Sequence, residues 1–353
     1  MEATTMWRRF VLLLSCVMLC IGNCGGPLIT RLYFLRGGNR IWFVSWLITG
    51  GWPLTFLLLA AAYAFRRTTQ GPTAKLLFIP PKLIVPAAAL GALTGLDDYL
   101  YSYGLSKLPV STSALIIISQ LAFAAGFAFL LVKQKFTAYS VNAIVLLTMG
   151  AGVLATGANT DRPNGESNKE YILGFVLTLL AAFMYGFIMP CIELVYKQAK
   201  QAITYTLVLE IQLVMGFFAA AFCLIGMLIN KDFQAISREA NEFEMGKAKY
   251  YVVVIWTSIL WQCFYVGAAG VICYGSSLLS AVLSAVLRSV TEVLAVVFYA
   301  EKFHSEKGIC LALSLWGLTS YFYGDFKKSK TKKTNNQNQI PEAQMAQTES
   351  LPI

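Results

Sequence analysis

Apolar runs of about 20 residues, separated by short polar stretches, recur from near residue 10 to near residue 324. A helix needs about 20 residues to cross the roughly 30 Å hydrocarbon core of a bilayer. The runs near 10–30, 41–64, 83–105, 111–132, 138–157, 171–196, 205–229, 248–270, 275–299 and 307–324 therefore predict ten transmembrane helices. Gly22 and Gly26 make a GxxxG step in the first run, a spacing that lets two helices approach closely, and Pro27 follows it. Trp42, Trp46 and Trp52 lie near the entry of the second, where aromatic belts form. Phe233, Ile236, Ala240 and Phe243 fall at roughly helical spacing in the polar stretch after the seventh, which predicts a short interfacial helix.

The stretch Gly95–Gln120 breaks the apolar rhythm. It carries Asp97, Asp98, Tyr99, Tyr101, Tyr103 and Gln120 between apolar flanks, and Pro109 with Ser111, Thr112 and Ser113 interrupts it. Two helices joined by a short turn, both facing a polar cavity, explain it best. A carboxylate at membrane depth costs about 2.5–3.5 kcal/mol and is kept where it faces protein or water.

Composition agrees with the bilayer as solvent: the chain is 57% hydrophobic and 13% charged, against about 25% charged in soluble domains. Its eight cysteines form neither a CxxC pair nor a zinc spacing, so no metal site or disulfide framework is indicated, and no cofactor is expected. The net charge is +10, much of it in Lys327, Lys328, Lys330, Lys332 and Lys333. That cluster reads as an anchor to anionic lipid, not as a nucleic-acid site. Arg8 and Arg9 before an apolar run have the form of a signal peptide, but the spans that follow favour a retained first helix. Ten spans put both termini on one side, and the basic loop at 66–82 and the basic tail make that side the cytoplasm.

A shift of 167 residues lays spans four and five over nine and ten: Lys135-Phe136 on Lys302-Phe303, Gly150 and Gly157 on Gly317 and Gly324, and Ser113-Ala114 on Ser280-Ala281. Five spans is an odd number, so the two halves are inverted across the membrane, as in transporters whose binding site lies between repeats. The expected divisions are a first five-helix repeat at 1–157, a connecting loop at 158–170, a second repeat at 171–326 and a disordered polar tail at 327–353.

The chemistry must come from polar groups within the spans: Asn23, Asp97, Asp98, Gln120, Glu193, Glu210, Gln212, Gln262, Arg288 and Glu292, with Tyr99, Tyr101, Tyr103 and Trp261 beside them. Carboxylates there can carry protons. Amides offer donor and acceptor together, and aromatic rings offer stacking faces. The set suits a flat, polar-edged small molecule moved with a proton. Arg288 and Glu292, four apart on one helix face, also suit an internal ion pair. Signatures of enzymes, HExxH, GxxxxGK[ST] and GxSxG, do not occur.

The segments GNCGGPLITRLYF, TGLDDYLYSYGLSKLPVSTSALI, FAFLLVKQKFT, LVLEIQLVMG, the Trp261-Gln262 pair, VTEVLAVVFYAEKF and LSLWGLTSYFYG resemble the plant purine permease family, over about residues 8–328. That family belongs to the drug/metabolite transporter superfamily, with ten helices in two inverted five-helix repeats. The resemblance implies proton-coupled uptake of adenine and related bases, with cytokinins and other heterocycles as the wider class. No obligate protein partner is implied, and the expected location is the plasma membrane. Three positions depart from the family's usual residues: Asp98 where LDNYLYSYG is common, Ala124 where an Asn is common, and Arg288-Ser289 in place of a Leu-Pro step. On this reading Gln120, Trp261 and Gln262 bind the base and Tyr101 stacks or closes on it. Asp98 and Gln212 contribute to the same pocket, and Glu210 or Glu292 carries the proton. Another drug/metabolite carrier, such as one for a nucleotide sugar, a channel or an intramembrane enzyme is the alternative.

Overall fold

The computed structural model describes residues 2–71, 75–132, 138–156, 167–198, 204–274, 277–301 and 303–348, all in helices and their connections, with no strand among them. The helices are α1 (Glu2–Leu35), α2 (Ile41–Thr49), α3 (Trp52–Gln70), α4 (Pro81–Lys107), α5 (Val110–Ile118), α6 (Gln120–Val132), α7 (Ala138–Thr156), α8 (Asn168–Gln198), α9 (Tyr205–Ile229), α10 (Asp232–Glu242), α11 (Lys247–Tyr274), α12 (Ser277–Tyr299) and α13 (Ser305–Thr348).

Seven described stretches are long and apolar enough to cross a membrane: Arg9–Leu35, Ile41–Thr69, Pro81–Lys107, Val110–Leu131, Asn168–Tyr196, Tyr205–Ile229 and Lys247–Val271. The fold is therefore all-α and membrane-spanning. The other three expected spans fall on α7, whose apolar part Val141–Gly150 is shorter, on α12, which carries Arg288 and Glu292 at its centre, and on α13.

Two runs expected as single helices are broken. Gly50 and Gly51 separate α2 from α3, and Ser119, whose hydroxyl donates to the Ile116 carbonyl at 2.6 Å, separates α5 from α6. The turn expected between spans three and four is present at Leu108 and Pro109. The expected interfacial helix is α10, but it turns two carboxylates inward: Asp232 and Glu239 are buried with Ala235 and Ala240, while Phe233 is exposed. The last helix continues to Thr348, through the stretch where the sequence predicts a disordered tail. Extending a helix that is already nucleated fixes one residue per added bond, so polar residues after an apolar span are readily carried along. Lys135-Phe136, Gly157, Lys302, most of the 158–170 loop and the side chain of Glu193 lie outside the described residues.

Glycines set the closest packing. Gly22 lies against the Leu260 and Phe264 backbone, and a Cβ on Gly26 would sit 3.0 Å from the Trp261 ring. With Ser15 opposite Gly270 and Tyr33 opposite Tyr250, α1 and α11 run antiparallel. Likewise α4 and α8 run antiparallel, Gly104 facing Thr178 and Gly174 facing Lys107. By contrast α4 runs parallel to α9, where Gly91 meets Met215 and Gly95 meets Ala219. So do α2 and α11 (Leu47 with Ser258, Gly51 with Gln262), α6 and α8 (Phe123 with Phe183, Phe127 with Phe187), and α1 and α12 (Asn23 with Ser284, Leu28 with Tyr299). Finally α7 and α13 pair antiparallel, Ala143 against Gly317 and Gly150 against Cys310.

Candidate functional site

The middle of the bundle is polar. Asp97, Asp98 and Tyr101 on α4, Trp261 on α11, Asn23 on α1 and Arg288 on α12 are each at most 7% exposed. All lie well inside their helices; Asp98, nine residues before the end of α4 at Lys107, sits about 14 Å from it at 1.5 Å per residue. Tyr101 and Trp261 meet edge to face with ring centroids 5.8 Å apart. The Trp261 Nε1–H donates to Thr30 Oγ1 at 3.1 Å, and Arg288 Nη1 donates to the Tyr101 hydroxyl at 3.4 Å. Tyr265 of α11 hydrogen-bonds Asp98, and Tyr185 of α8 is close enough to feel the charges of Arg288, Asp97 and Asp98.

Local sequence explains part of this placement. Pro27 stands inside α1 and has no N–H, so the Asn23 carbonyl four residues back has no intrahelical partner. The Thr291 hydroxyl of α12 reaches it at 3.4 Å, while the Asn23 amide donates to the Ser284 carbonyl at 3.0 Å. The Thr291 hydroxyl also donates to its own Leu287 carbonyl at 2.9 Å, so Asn23 meets α12 on either side of Arg288, at Ser284 and at Thr291.

Several polar atoms here are buried without a hydrogen-bond partner: Asn23 Oδ1, Asp97 Oδ1, Asp98 Oδ2 and Arg288 Nε. They are donors and acceptors of the kind a flat heterocycle carries on its edge. Arg288 and Glu292 do not form the ion pair their spacing suits. Arg288 turns to Tyr101, whereas Glu292, fully buried with neither oxygen hydrogen-bonded, lies near Lys307 and Glu301.

The structure thus brings Asp98, Tyr101 and Trp261 together and sets the other expected residues apart. Gln262 projects about 100° round the helix from Trp261 and donates to Thr55 Oγ1 of α3, packed over Gly51. Gln120 opens α6, half-buried, with its carbonyl against Gly186 of α8. Gln212 is half-buried on α9. Glu210 is buried, and its Oε2 accepts the Phe78 and Ile79 N–H groups at 2.7 Å each, which holds the entry to α4.

Other polar groups escaped sequence reasoning. Arg31 donates to the Leu105 and Ser106 carbonyls at 2.7 and 2.8 Å, capping the negative end of α4. Glu301 accepts the Val110 and Ser111 N–H groups at 2.8 and 3.0 Å at the start of α5, and Lys307 donates to Ser111 Oγ at 2.8 Å. Glu239 accepts from Tyr33, from Tyr250 at 3.1 Å and from the Asn39 N–H at 3.1 Å, with Arg40 at 3.8 Å. Tyr185 and Tyr265 read as ordinary members of apolar runs, and no spacing singles them out.

A family profile described as purine nucleobase transmembrane transport matches residues 10–331. Purine permease 3 of Arabidopsis thaliana is 50% identical over 340 residues, covering 96% of this chain and 97% of that protein. Purine permease 2 of the same plant is 49% identical over 349 residues, covering 95% and 98%. Probable purine permease 5 is 32% identical, covering 95% and 91%. One solved crystal structure shares the fold with a TM-score of 0.52 at 16% identity, covering 88% of this chain and 95% of that chain.

Proposed function

The chain belongs to the purine permease family, a family of membrane transporters and not of enzymes, and we propose that it imports purine bases and their derivatives, adenine and cytokinins among them, together with protons. Purine nucleobase transport is what the family description states. Proton coupling, the substrate range and a plasma-membrane location with cytoplasmic termini are our reading.

The observation that carries this reading is the buried cluster around Tyr101 and Trp261. It combines aromatic faces with open donors and acceptors inside the bundle, between helices of both halves of the chain. A purine offers two flat faces and an edge of ring nitrogens and N–H groups. The base stacks by Trp261 and Tyr101 and presents its edge to Asp98.

Helix packing supports ten spans in two inverted repeats. Exchanging each span for its counterpart five away turns the antiparallel pair α1–α11 into α8–α4, also antiparallel. It turns the parallel pairs α4–α9 and α6–α8 into α11–α2 and α12–α1, both parallel, and returns α7–α13 onto itself. Gly150 and Gly317, matched by the sequence shift, both lie at that last contact. A site between such halves opens to either side when one rocks against the other.

Uptake of labelled adenine into yeast lacking its own transporter, at acidic and neutral outside pH and with or without an uncoupler, tests the reading. Accumulation that collapses with the uncoupler supports it. No uptake despite confirmed surface expression counts against adenine.

A further inference from the structure

The transport reading needs a group that takes up a proton on one side and releases it on the other. Glu210 is held by two backbone N–H groups, and Glu292 stands with Lys307 and Glu301. Two other carboxyls stand in the site itself. Asp97 and Asp98 are 5% and 6% exposed, each has an oxygen with no hydrogen-bond partner, and they are close enough to act on each other's charge.

A fixed cation faces the same place. Arg288 is 7% exposed, its Nε–H has no partner, and it makes no ion pair among the described residues. A guanidinium does not lose its proton in proteins, and an unmatched charge buried at this depth is expensive. The Tyr101 hydroxyl is common to both: it accepts from Arg288 and feels both carboxyls.

We propose that the Asp97–Asp98 pair, balanced by Arg288 across Tyr101, is the proton carrier, and that it holds one proton when the substrate is enclosed. The number follows from charge. Two carboxylates and one guanidinium sum to a single negative charge, and one proton brings the cluster to zero. Only a neutral cluster is cheaply stripped of water, which enclosure of a substrate requires. The pair takes its proton from water on the side of entry, forming one O–H bond, and returns it to water on the side of exit once the substrate has left.

The charges that neighbouring elements bring among the described residues lie at the ends of α4: Glu210 of α9 at its start, and Glu170 of α8 beside Lys107 in its last turn. The other elements packed on α4 bring Ser45 and Thr49 from α2, the Tyr185 phenol from α8, the Cys223 thiol from α9 and the Tyr265 phenol from α11. From α5 come Ser111, Thr112 and Ser113, and from α1 Arg31, which is occupied at the far end of α4.

The proposal rests on the transport reading, and one experiment separates the two. The full chain is reconstituted in vesicles with the membrane potential clamped at zero. Two quantities are read: exchange of labelled for unlabelled adenine without a pH gradient, and accumulation under a gradient of one pH unit. One coupled proton sustains up to about tenfold accumulation and two up to about a hundredfold. We expect the single-proton value. Asp97→Asn leaves Asp98 and Arg288 already neutral, so it abolishes accumulation while exchange remains measurable. Asp97→Asn combined with Arg288→Leu leaves one carboxyl without its cation and restores accumulation. Absence of exchange in the unaltered protein overturns the transport reading instead. The proton assignment fails if Asp97→Asn accumulates like the parent, if the parent reaches the two-proton value, or if the double variant stays uncoupled or inactive.

Discussion

Tyr101 of α4 and Trp261 of α11 meet edge to face at 83° between ring planes, and each is tied to a third helix, Tyr101 to Arg288 of α12 and Trp261 to Thr30 of α1. Four helices from both halves of the chain thus converge on one aromatic corner. A base that stacks there gains about 1–3 kcal/mol from a single ring. Trp261→Ala is therefore expected to raise the apparent KM for adenine by about 5- to 150-fold, and Trp261→Phe by much less. Concentration dependence of uptake, normalised to surface protein, checks this.

A second expectation concerns the seat of that tryptophan. A Cβ on Gly26 would stand 3.0 Å from the Trp261 ring, tighter than ordinary contact. Gly26→Val adds two further methyl groups at a helix interface with no room for them. A loss of about 1–3 kcal/mol is expected, as for other overpacked interiors, with a smaller loss for Gly26→Ala. Thermal unfolding of the detergent-solubilised protein reads it directly.

Glu210 should behave as a structural carboxylate. Its two bonds to the Phe78 and Ile79 N–H groups are 2.7 Å long, and a hydrogen bond to a charged group contributes about 1.5–3 kcal/mol. Glu210→Ala is expected to lower the unfolding temperature and the amount of protein at the surface. Among molecules that do reach the surface, the ratio of uptake at acidic and neutral pH should stay as in the parent. A lost pH response at normal stability would instead give Glu210 the proton.

Asp232 supplies a pH signature outside the spans. Burial pushes its carboxyl above the ordinary range, only partly opposed by the Asn230 amide at 2.8 Å and by Arg40 at 3.6 Å. A carboxyl raised in the folded state binds its proton more tightly there than in the unfolded chain. Its contribution therefore favours the fold below the ordinary carboxylate pKa, and is lost as pH rises from that value through the higher folded one. Asp232→Asn should flatten this part of the stability profile and leave the protein more stable at neutral pH. Unfolding midpoints measured across that range, for parent and variant, decide it.

The apolar runs were legible because length and hydropathy alone decide which helices can sit in a bilayer, and the turn at Pro109 was legible because a proline there is followed by the polar run Ser111, Thr112 and Ser113. The breaks at Gly50-Gly51 and Ser119 were not legible. Nothing in the local pattern distinguishes a glycine that ends a helix from one, like Gly26, that packs inside it. Within the site, Asp98, Tyr101 and Trp261 stood out as polar or aromatic groups in apolar surroundings. Their convergence with Arg288 depends on how α4, α11 and α12 cross, and helix spacing pointed Arg288 at Glu292 instead. Gln262 was misleading for a simpler reason: it neighbours Trp261 in sequence, and neighbours on a helix face different ways. Glu239 and Glu301 drew no attention in the sequence because their partners are far away in the chain.

Glu301 has a consequence for how the protein is made. The Val110 and Ser111 N–H groups at the start of α5 bond to a carboxylate 191 and 190 residues further along the chain. At about 5–20 residues per second, a ribosome needs on the order of 10–40 s to supply it. Throughout that interval the start of α5 in the nascent first half lacks its carboxylate partner. Substitutions at Glu301 should thus register first in the yield of inserted protein, before any effect on the transport cycle.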